Sequence, residues 1–475
     1  MNFKDKRVAV IGMGRSGLAA AKLLNDLGAE VLVSDRKPAS ELEEGISQLE
    51  DSLRRIPEGS IRGRQIEIET GRHSDRLIEH AQLIVVSPGV SPTIPLLCRA
   101  RRLQIPIISE IELAYSFLKA PVVAVTGTNG KTTTCSLISQ ILARDGRSVA
   151  LGGNTGSPLS SLINGTFDIV VAEISSFQLE GISRFKPYIS IILNITPDHL
   201  DRYPSFEDYA RCKARILANQ TEEDFAILSD DDEIVRKLAL RTRARIISFS
   251  CKHQLGAVVW LGGDRIMARM SGVRQAATRP FERELLSLDD VRIRGPHNVA
   301  NVMAAAACAL ILGVEIGNLR LAVREFKGLE HRLEPVASIE GKEFVNDSKA
   351  TNVDAVVKSL QTFSQPIILI AGGRDKGSDY APLLPLIKKK VKGLILVGEA
   401  KEKIMQALPG FEPVQEARSM DDAVRLAALR GQPGDVILLS PACASYDMFC
   451  NFEERGKAFK EAVRRLAYEK GTSPS

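Results

Sequence analysis

The sequence has no long hydrophobic run. Its longest apolar stretch, Val302 to Val314, is alanine-rich and well short of the roughly 18 to 20 residues a spanning helix requires, so a buried helix is expected there and no membrane insertion. A secretory leader is also missing, because the apolar run Val8 to Ile11 ends at once in the turn Gly12-Met13-Gly14; a cytoplasmic location is expected. The 7 cysteines are odd in number and include no C-x-x-C pair, which argues against a disulfide framework or zinc site and for reduced thiols serving mainly as small core residues. Neither sign of charge dominates: 63 Lys+Arg against 58 Asp+Glu leave +5. The one basic run, Lys388-Lys389-Lys390, reads as a solvated helix face, so no nucleic-acid partner is expected. A mild positive balance suits a small polyanionic substrate. No internal repeat or low-complexity tract is present, and the Gly471–Ser475 tail is expected to fray.

What is present is the composition of a globular protein, with 44% hydrophobic, 25% charged and 5% aromatic residues, which excludes disorder and fibrous repeats. Its 475 residues suggest about three domains. Short β-branched runs alternate with helical patterns: Arg7–Ile11, Val31–Ser34, Leu83–Val86, Val122–Val125, Ile169–Ala172, Ile189–Leu193, Ile367–Ile370, Leu394–Val397 and Val436–Leu439. Continuous apolar runs of this length, each closed by Gly, Ser, Asn or Pro, are the pattern of strands buried on both faces. The fold class is therefore α/β with parallel sheets. The blocks divide at 1–110, with Ile105 to Ser109 as its last strand, 111–328 and 329–475. The charged stretch Glu41 to Glu69 reads as a surface helix plus a short strand.

Gly12-Met-Gly14-Arg-Ser16-Gly17 follows a strand and opens a helix, with Asp35 ending the next strand. This is the arrangement in which backbone N–H groups and a helix N-terminus approach a diphosphate. Taken alone, it fits NAD(P), another nucleotide diphosphate, or glycine needed only to pack helix against strand.

After the strand Val122–Val125 comes Thr126-Gly127-Thr128-Asn129-Gly130-Lys131-Thr132-Thr133-Thr134. Amides in such a loop wrap phosphate oxygens, Lys131 brings positive charge to the β and γ phosphates, and the Thr132 hydroxyl can ligate Mg²⁺. ATP is the expected ligand, although Val125 stands where the strict pattern has glycine. Glu173 lies just past another strand, at the rim where open α/β sheets hold ligands, and can reach a Mg²⁺ ion. The segment Leu193 to Asp201 places His199 and two aspartates on one loop after a further strand. That histidine reads either as a ligand or as an ordinary hydrogen-bonding residue.

Together these segments resemble the Mur ligase family, the ATP-dependent amino-acid ligases of peptidoglycan precursor synthesis. The resemblance is carried by TGTNGKTTT, GGNTG at 152–156, EISSFQLE at 173–180 and NITPDHLDRY at 194–203 with Lys213 following. It continues through GPHNVAN at 295–301, GLEHRLE at 328–334, NDSKATN at 346–352, GGRDKG at 372–377 and SPACASYDMFCNFEERG at 440–456. The last motif looks like that of the D-glutamate-adding branch, and the DNPR signature of the diaminopimelate-adding relatives is absent. Arg374, Tyr446 and Cys450 depart from the pattern.

The resemblance implies three domains: a Rossmann-like N-terminal domain, a central P-loop ATPase-like parallel-sheet domain and a C-terminal Rossmann-like α/β domain. It turns the first glycine loop into a uridine-diphosphate site, with Gly14, Ser16, Asp35, Arg36 and the Ser87-Pro88-Gly89 turn as contacts. It implies UDP-N-acetylmuramoyl-L-alanine and D-glutamate as substrates of a monomer, with Asn154, Ser175 and Gln178 holding the peptide end of the former. Asn298 resembles an adenine contact; Arg332 and Asp347 resemble residues that close the third domain on the nucleotide. Lys349, Thr351, Lys376, Ser445 and Phe452 resemble the D-glutamate pocket. Two Mg²⁺ ions are implied, one at Thr132 and a second near Glu173, His199 and a carbamylated Lys213. A nicotinamide dehydrogenase would leave the second and third domains unexplained, and a P-loop switch would leave the metal and amino-acid motifs unexplained. The folylpolyglutamate synthetase relatives lack the uridine domain.

Overall fold

The computed structural model describes residues 2–54, 65–252, 256–269 and 282–471. Residues 472–475 of the expected frayed tail and 55–64 of the Glu41–Glu69 stretch lie outside the described residues. Within them the strands form three sheets. The first contains β1 (Arg7–Ile11), β2 (Glu30–Asp35), β3 (Gln65–Thr70), β4 (Leu83–Val86) and β5 (Ile107–Ser109), all parallel, in the order β3-β2-β1-β4-β5. The reversal of order between β1 and β4 leaves a crevice at their carboxyl ends, where this sheet type takes ligands.

The second sheet contains β6 (Val122–Thr126), β7 (Val149–Gly153), β8 (Ile169–Glu173), β9 (Ile189–Ile192), β10 (Phe225–Ser229), β11 (Arg245–Ser250), β12 (Val259–Gly262), β13 (Arg265–Arg269) and β14 (Glu282–Ser287). Its order is β14-β13-β12-β11-β10-β9-β6-β8-β7. The strands are parallel except at β12-β13-β14, which run antiparallel to one another. Along β6, Val123 and Val125 face one core while Val122 and Ala124 face the other, so a continuous apolar run fills both sides of the sheet. The alanine-rich helix Pro296–Leu312 and the helix Lys131–Arg144 cover the first of these faces. The helix Phe206–Ala214 covers the other.

The third sheet contains β15 (Glu334–Ile339), β16 (Lys342–Asn346), β17 (Ile367–Gly372), β18 (Val391–Val397), β19 (Val414–Glu416) and β20 (Val436–Leu439), in the order β15-β16-β20-β17-β18-β19. Only the β15–β16 pair is antiparallel.

The three-domain α/β reading of the sequence holds. The charged stretch contains the helix Glu43–Arg54 and β3, as expected. Strand β5 is shorter than the run Ile105–Ser109, and Val302–Leu312 is the C-terminal part of the helix Pro296–Leu312, with Gly313 and Val314 past its end. Lys388 and Lys389 are exposed at the end of the helix Leu384–Lys390. All seven cysteines are unpaired, and Cys135, Cys212, Cys308 and Cys443 are buried. Among the described residues no helix is long and apolar enough to cross a membrane.

Candidate active site

Strands β8, β6 and β9 are neighbours, so the loops leaving their carboxyl ends emerge side by side. Glu173 is the last residue of β8, and the loops after β6 and β9 carry the phosphate loop and His199. Gly130 takes φ +90°, and a Cβ there would overlap the Asn301 amide beneath it, so glycine alone lets the loop turn tightly into its helix. Asn194, from the loop after β9, braces the turn by accepting from Asn129 N at 2.9 Å and donating to Asn129 O at 3.0 Å. Thr128 Oγ1 donates to Thr196 O at 3.0 Å and meets the Tyr209 hydroxyl at 3.2 Å.

Lys131 Nζ donates to the carbonyls of Gly127 and Thr128, each at 2.9 Å, and Lys213 Nζ donates to the same Gly127 carbonyl at 2.8 Å. Lys213 is buried, with its ammonium 4.8 Å from the centre of the Tyr209 ring. Burial, reinforced by the nearby Lys131 charge, pushes Lys213 well below the ordinary lysine range, and burial lowers Lys131 too. Burial works against the Glu173 carboxylate, but the Lys131 charge and the polar groups of Thr132 and Asn154 outweigh it and hold the pKa low. Glu173 Oε1 accepts from Asn154 Nδ2 at 2.7 Å, whereas Oε2 is buried with no hydrogen-bond partner among the described residues. His199 is pushed toward its neutral form by burial, against the opposing pull of Asp198. A neutral imidazole is the form that binds metal.

The first sheet builds a second cavity, of about 1140 Å³. Gly14, Ser16, Asp35, Arg36, Ser87 and Gly89 all line it. A Cβ at Gly17 would overlap the Gly12 carbonyl, so this glycine brings the helix Arg15–Asp26 close against β1. The Asp35 carboxylate accepts from the backbone N–H of Met13 at 2.8 Å and of Lys37 at 3.0 Å, and Ser87 Oγ donates to Gly12 O at 2.9 Å. Both side chains thus hold the loop as well as line the cleft. Asn154 and Gln178 of the central domain close its far end, and Asn154 also lines the cavity around the phosphate loop. The two cavities therefore meet at Asn154.

In the third sheet β16, β20 and β17 are adjacent, and the loops after them bring Lys349 and Thr351, Ser445, and Lys376 to the same place. These four and Phe452 line the phosphate-loop cavity together with Thr128, Asn129, Gly130, Lys131, Thr132, Glu173, Ser175, His199, Lys213 and Arg332. Lys349 Nζ sits 3.6 Å from the centre of the Phe452 ring, and burial, with repulsion from Arg332, lowers it to about 8. Arg332 donates to Thr132 Oγ1 at 2.6 Å.

Four expected ATP-site residues do not line this cavity: Gly127, whose carbonyl accepts from Lys131 and Lys213, and three more. Thr133 is buried within the helix after the loop. The Asn298 amide donates to Arg294 O at 2.7 Å and accepts from Asn301 at 3.0 Å. Asp347 is buried inside the third domain, accepting from Ser359 at 2.5 Å, Ser440 at 2.9 Å and the Leu333 amide at 3.2 Å; burial raises it to about 6. These bonds tie it to Leu333, Ser359 and Ser440 within the third domain.

Several residues of the site were not singled out from the sequence. Asp198 pairs with Lys376 at 3.8 Å and accepts from Asn352 at 3.1 Å. Asp354 accepts from Asn129 at 2.8 Å and Thr196 at 3.1 Å. Arg455 is buried and donates to Ser348 Oγ at 3.0 Å, Ser348 O at 2.8 Å, Cys443 O at 3.1 Å and Ala444 O at 3.2 Å, tying two of the third domain's loops together. Asp198 and Arg455 lie inside quoted motifs, which was the available signal; Asp354 lies just outside one.

Three families match the chain: the Mur ligase MurD-like N-terminal domain over residues 6–109, the Mur ligase middle domain over 125–309, and the Mur ligase glutamate ligase domain over 331–443. Two relatives of nearly the same length are both named UDP-N-acetylmuramoylalanine--D-glutamate ligase. The one from Geotalea daltonii is 43% identical, covering 98% of this chain and 99% of its own. The one from Acidobacterium capsulatum is 46% identical, covering 98% and 97%. This chain belongs to the Mur ligase family. Among solved structures, UDP-N-acetylmuramate-alanine ligase MurC from Thermotoga maritima is similar in fold, with a TM-score of 0.58 at 22% identity over 98% of this chain and 100% of that one. As a Mur ligase the chain is an ATP-dependent enzyme of the ligase class.

Proposed function

We propose that this Mur ligase joins D-glutamate to UDP-N-acetylmuramoyl-L-alanine, with ATP converted to ADP and phosphate through an acyl phosphate. The observation that carries this reading is the junction at Asn154 of a nucleotide-sized cleft and a lysine-rich reaction cavity to which the third domain contributes. The printed names of the full-length relatives support the same substrates. In this reading uridine diphosphate is held within 1–110, ATP within 111–328 and the amino acid within 329–475.

A carboxylate is a poor electrophile, so amide formation in water needs activation. The acceptor carboxylate attacks the γ-phosphorus of ATP and the bond to ADP breaks; the D-glutamate amine then attacks the acyl carbon and phosphate leaves. Lys131 neutralises charge between the two anions, a role its place in the phosphate loop supports. Lys349 and Lys376 hold the two carboxylates of D-glutamate, while Thr351, Ser445 and the Phe452 ring fix its orientation and hence its chirality. Ser175 and Gln178 align the peptide end of the acceptor; the side-chain amide nitrogen of Gln178 is buried without a hydrogen-bond partner among the described residues and is free to donate.

The site suits magnesium. Among the described residues no group of three His, Cys, Asp or Glu could by itself cage a metal, and Mg²⁺ characteristically takes one or two protein ligands together with waters and substrate phosphates. Thr132 would hold one ion, and Glu173, through its unpartnered oxygen, with His199 and a carbamylated Lys213, the second. Bound there, the ions would neutralise phosphate charge as Lewis acids. Carbamylation needs a neutral amine, which the burial of Lys213 favours.

The test is calorimetric titration of the full chain with the UDP-linked acceptor and with NADH, followed by measurement of ATP-dependent incorporation of labelled D-glutamate. Binding of the UDP compound alone, with one ADP per amide formed, is the expected result. Binding of NADH instead would restore the dehydrogenase reading.

A further inference from the structure

The loop after β9 carries His199 into the reaction cavity and, three residues on, Arg202 away from it. Arg202 N donates to His199 O at 3.0 Å, so the two positions form one turn. The Arg202 guanidinium leaves the central domain and grips the first: Nη1 donates to Pro88 O at 3.1 Å and Nη2 to Val90 O at 3.0 Å. Nε and Nη2 also meet the two oxygens of Glu180 at 3.1 and 2.7 Å, a fork-to-fork pair. Glu180 accepts in addition from the Tyr203 hydroxyl at 2.8 Å. The guanidinium lies 4.1 Å from the centre of the Phe177 ring, and the same ring packs edge-on against His199 at 4.8 Å. Arg202 is 13% exposed and Glu180 20%.

Pro88 and Val90 flank Gly89 in the turn that lines the first-domain cleft, and Ser87 binds that turn to the glycine loop. One guanidinium therefore touches the wall of one cavity while its own loop carries His199 in the wall of the other. Two carbonyls and a carboxylate at fixed angles match the planar fork of arginine, and a lysine ammonium, with three donors on one atom, cannot make all four bonds.

We propose that Arg202 is a positioning residue for the UDP-linked acceptor, registering the first-domain cleft against His199 so that a seated nucleotide delivers its acyl end to the phosphate loop. The proposal rests on the uridine-diphosphate reading of the cleft. It assigns Arg202 no contact with either substrate; it acts through the turn 88–90.

The test compares the wild-type chain with Arg202→Lys and with the double variant Arg202→Met/Glu180→Gln, which leaves no unpaired carboxylate behind. In both, KM for the UDP-linked acceptor should rise about tenfold or more, which corresponds to roughly 1.4 kcal/mol. The Kd for ATP, titrated separately, should stay within about twofold, because the phosphate loop keeps its own braces. A residue serving only the fold would lower both affinities together or change only the melting temperature, and either result overturns the proposal. Unchanged KM in both variants also overturns it, while leaving the uridine reading intact. A wild-type chain that does not bind the UDP compound contradicts the uridine reading itself.

Discussion

Asn129 of the phosphate loop donates its side-chain amide to Asp354, 225 residues further along the chain, at 2.8 Å. Asp354 also accepts from Thr196 at 3.1 Å and from Lys358 of its own helix at 2.7 Å. Two segments of the central domain are thus fastened to the helix Val353–Thr362 of the third. Hydrogen bonds to a charged group contribute about 1.5 to 3 kcal/mol. Asp354→Ala should therefore loosen the third domain from the central one and lower kcat/KM for D-glutamate about tenfold, since roughly 1.4 kcal/mol is a factor of ten. Small-angle scattering of the variant should show a larger radius of gyration than the wild type.

Among the described residues the Lys131 ammonium donates only to carbonyls of its own loop, 3 and 4 residues away. Lys131→Ala should therefore leave the fold intact and cut turnover by about two to three orders of magnitude, as loss of a group that stabilises developing charge does. Steady-state kinetics beside a circular dichroism melt separates the two effects.

Lys213 and Lys131 both donate to the Gly127 carbonyl, so protonating both amines would set two like charges against each other in a buried place. A carbamate on Lys213 replaces that repulsion with attraction and supplies oxygen ligands of the kind Mg²⁺ prefers. The protein equilibrated with ¹³C-labelled bicarbonate should give a carbamate carbon signal that Lys213→Arg lacks. Lys213→Arg should be inactive although it keeps the charge, and Lys213→Glu should be poor because its stem is too short.

The legible part of the architecture lay in strands such as β6, β8 and β17, whose unbroken apolar runs record burial on both faces. Strands β13 and β14, with burial patterns that mix exposed and buried positions, carry charged residues and were invisible to the same criterion. In the site, residues that meet phosphate or substrate sit in compact motifs. Residues that act across domains do not: Asn129 and Asp354, or Arg202 and Val90, become neighbours only after three sheets have stacked their loops together, and no local periodicity encodes such a meeting.

His297 links the central helix to pH. Burial, with repulsion from Lys358, holds its imidazole down at about 4, and its Nδ1 is buried without a hydrogen-bond partner among the described residues. In the unfolded chain an imidazole takes its proton near 6.5, so its stabilising contribution is complete above pH 6.5 and is lost as pH falls toward 4. Between pH 7 and 5 this single group should remove about 2 kcal/mol of stability. Urea unfolding at the two pH values should show that loss in the wild type and a smaller one in His297→Gln.

Which amino acid drives ATP turnover decides the proposed reaction most directly. ADP release should be followed in the presence of UDP-N-acetylmuramoyl-L-alanine and Mg²⁺, with D-glutamate, L-glutamate or diaminopimelate supplied in turn. Rapid release is expected with D-glutamate and background release with the other two. Equal or greater release with L-glutamate or diaminopimelate would contradict the D-glutamate assignment.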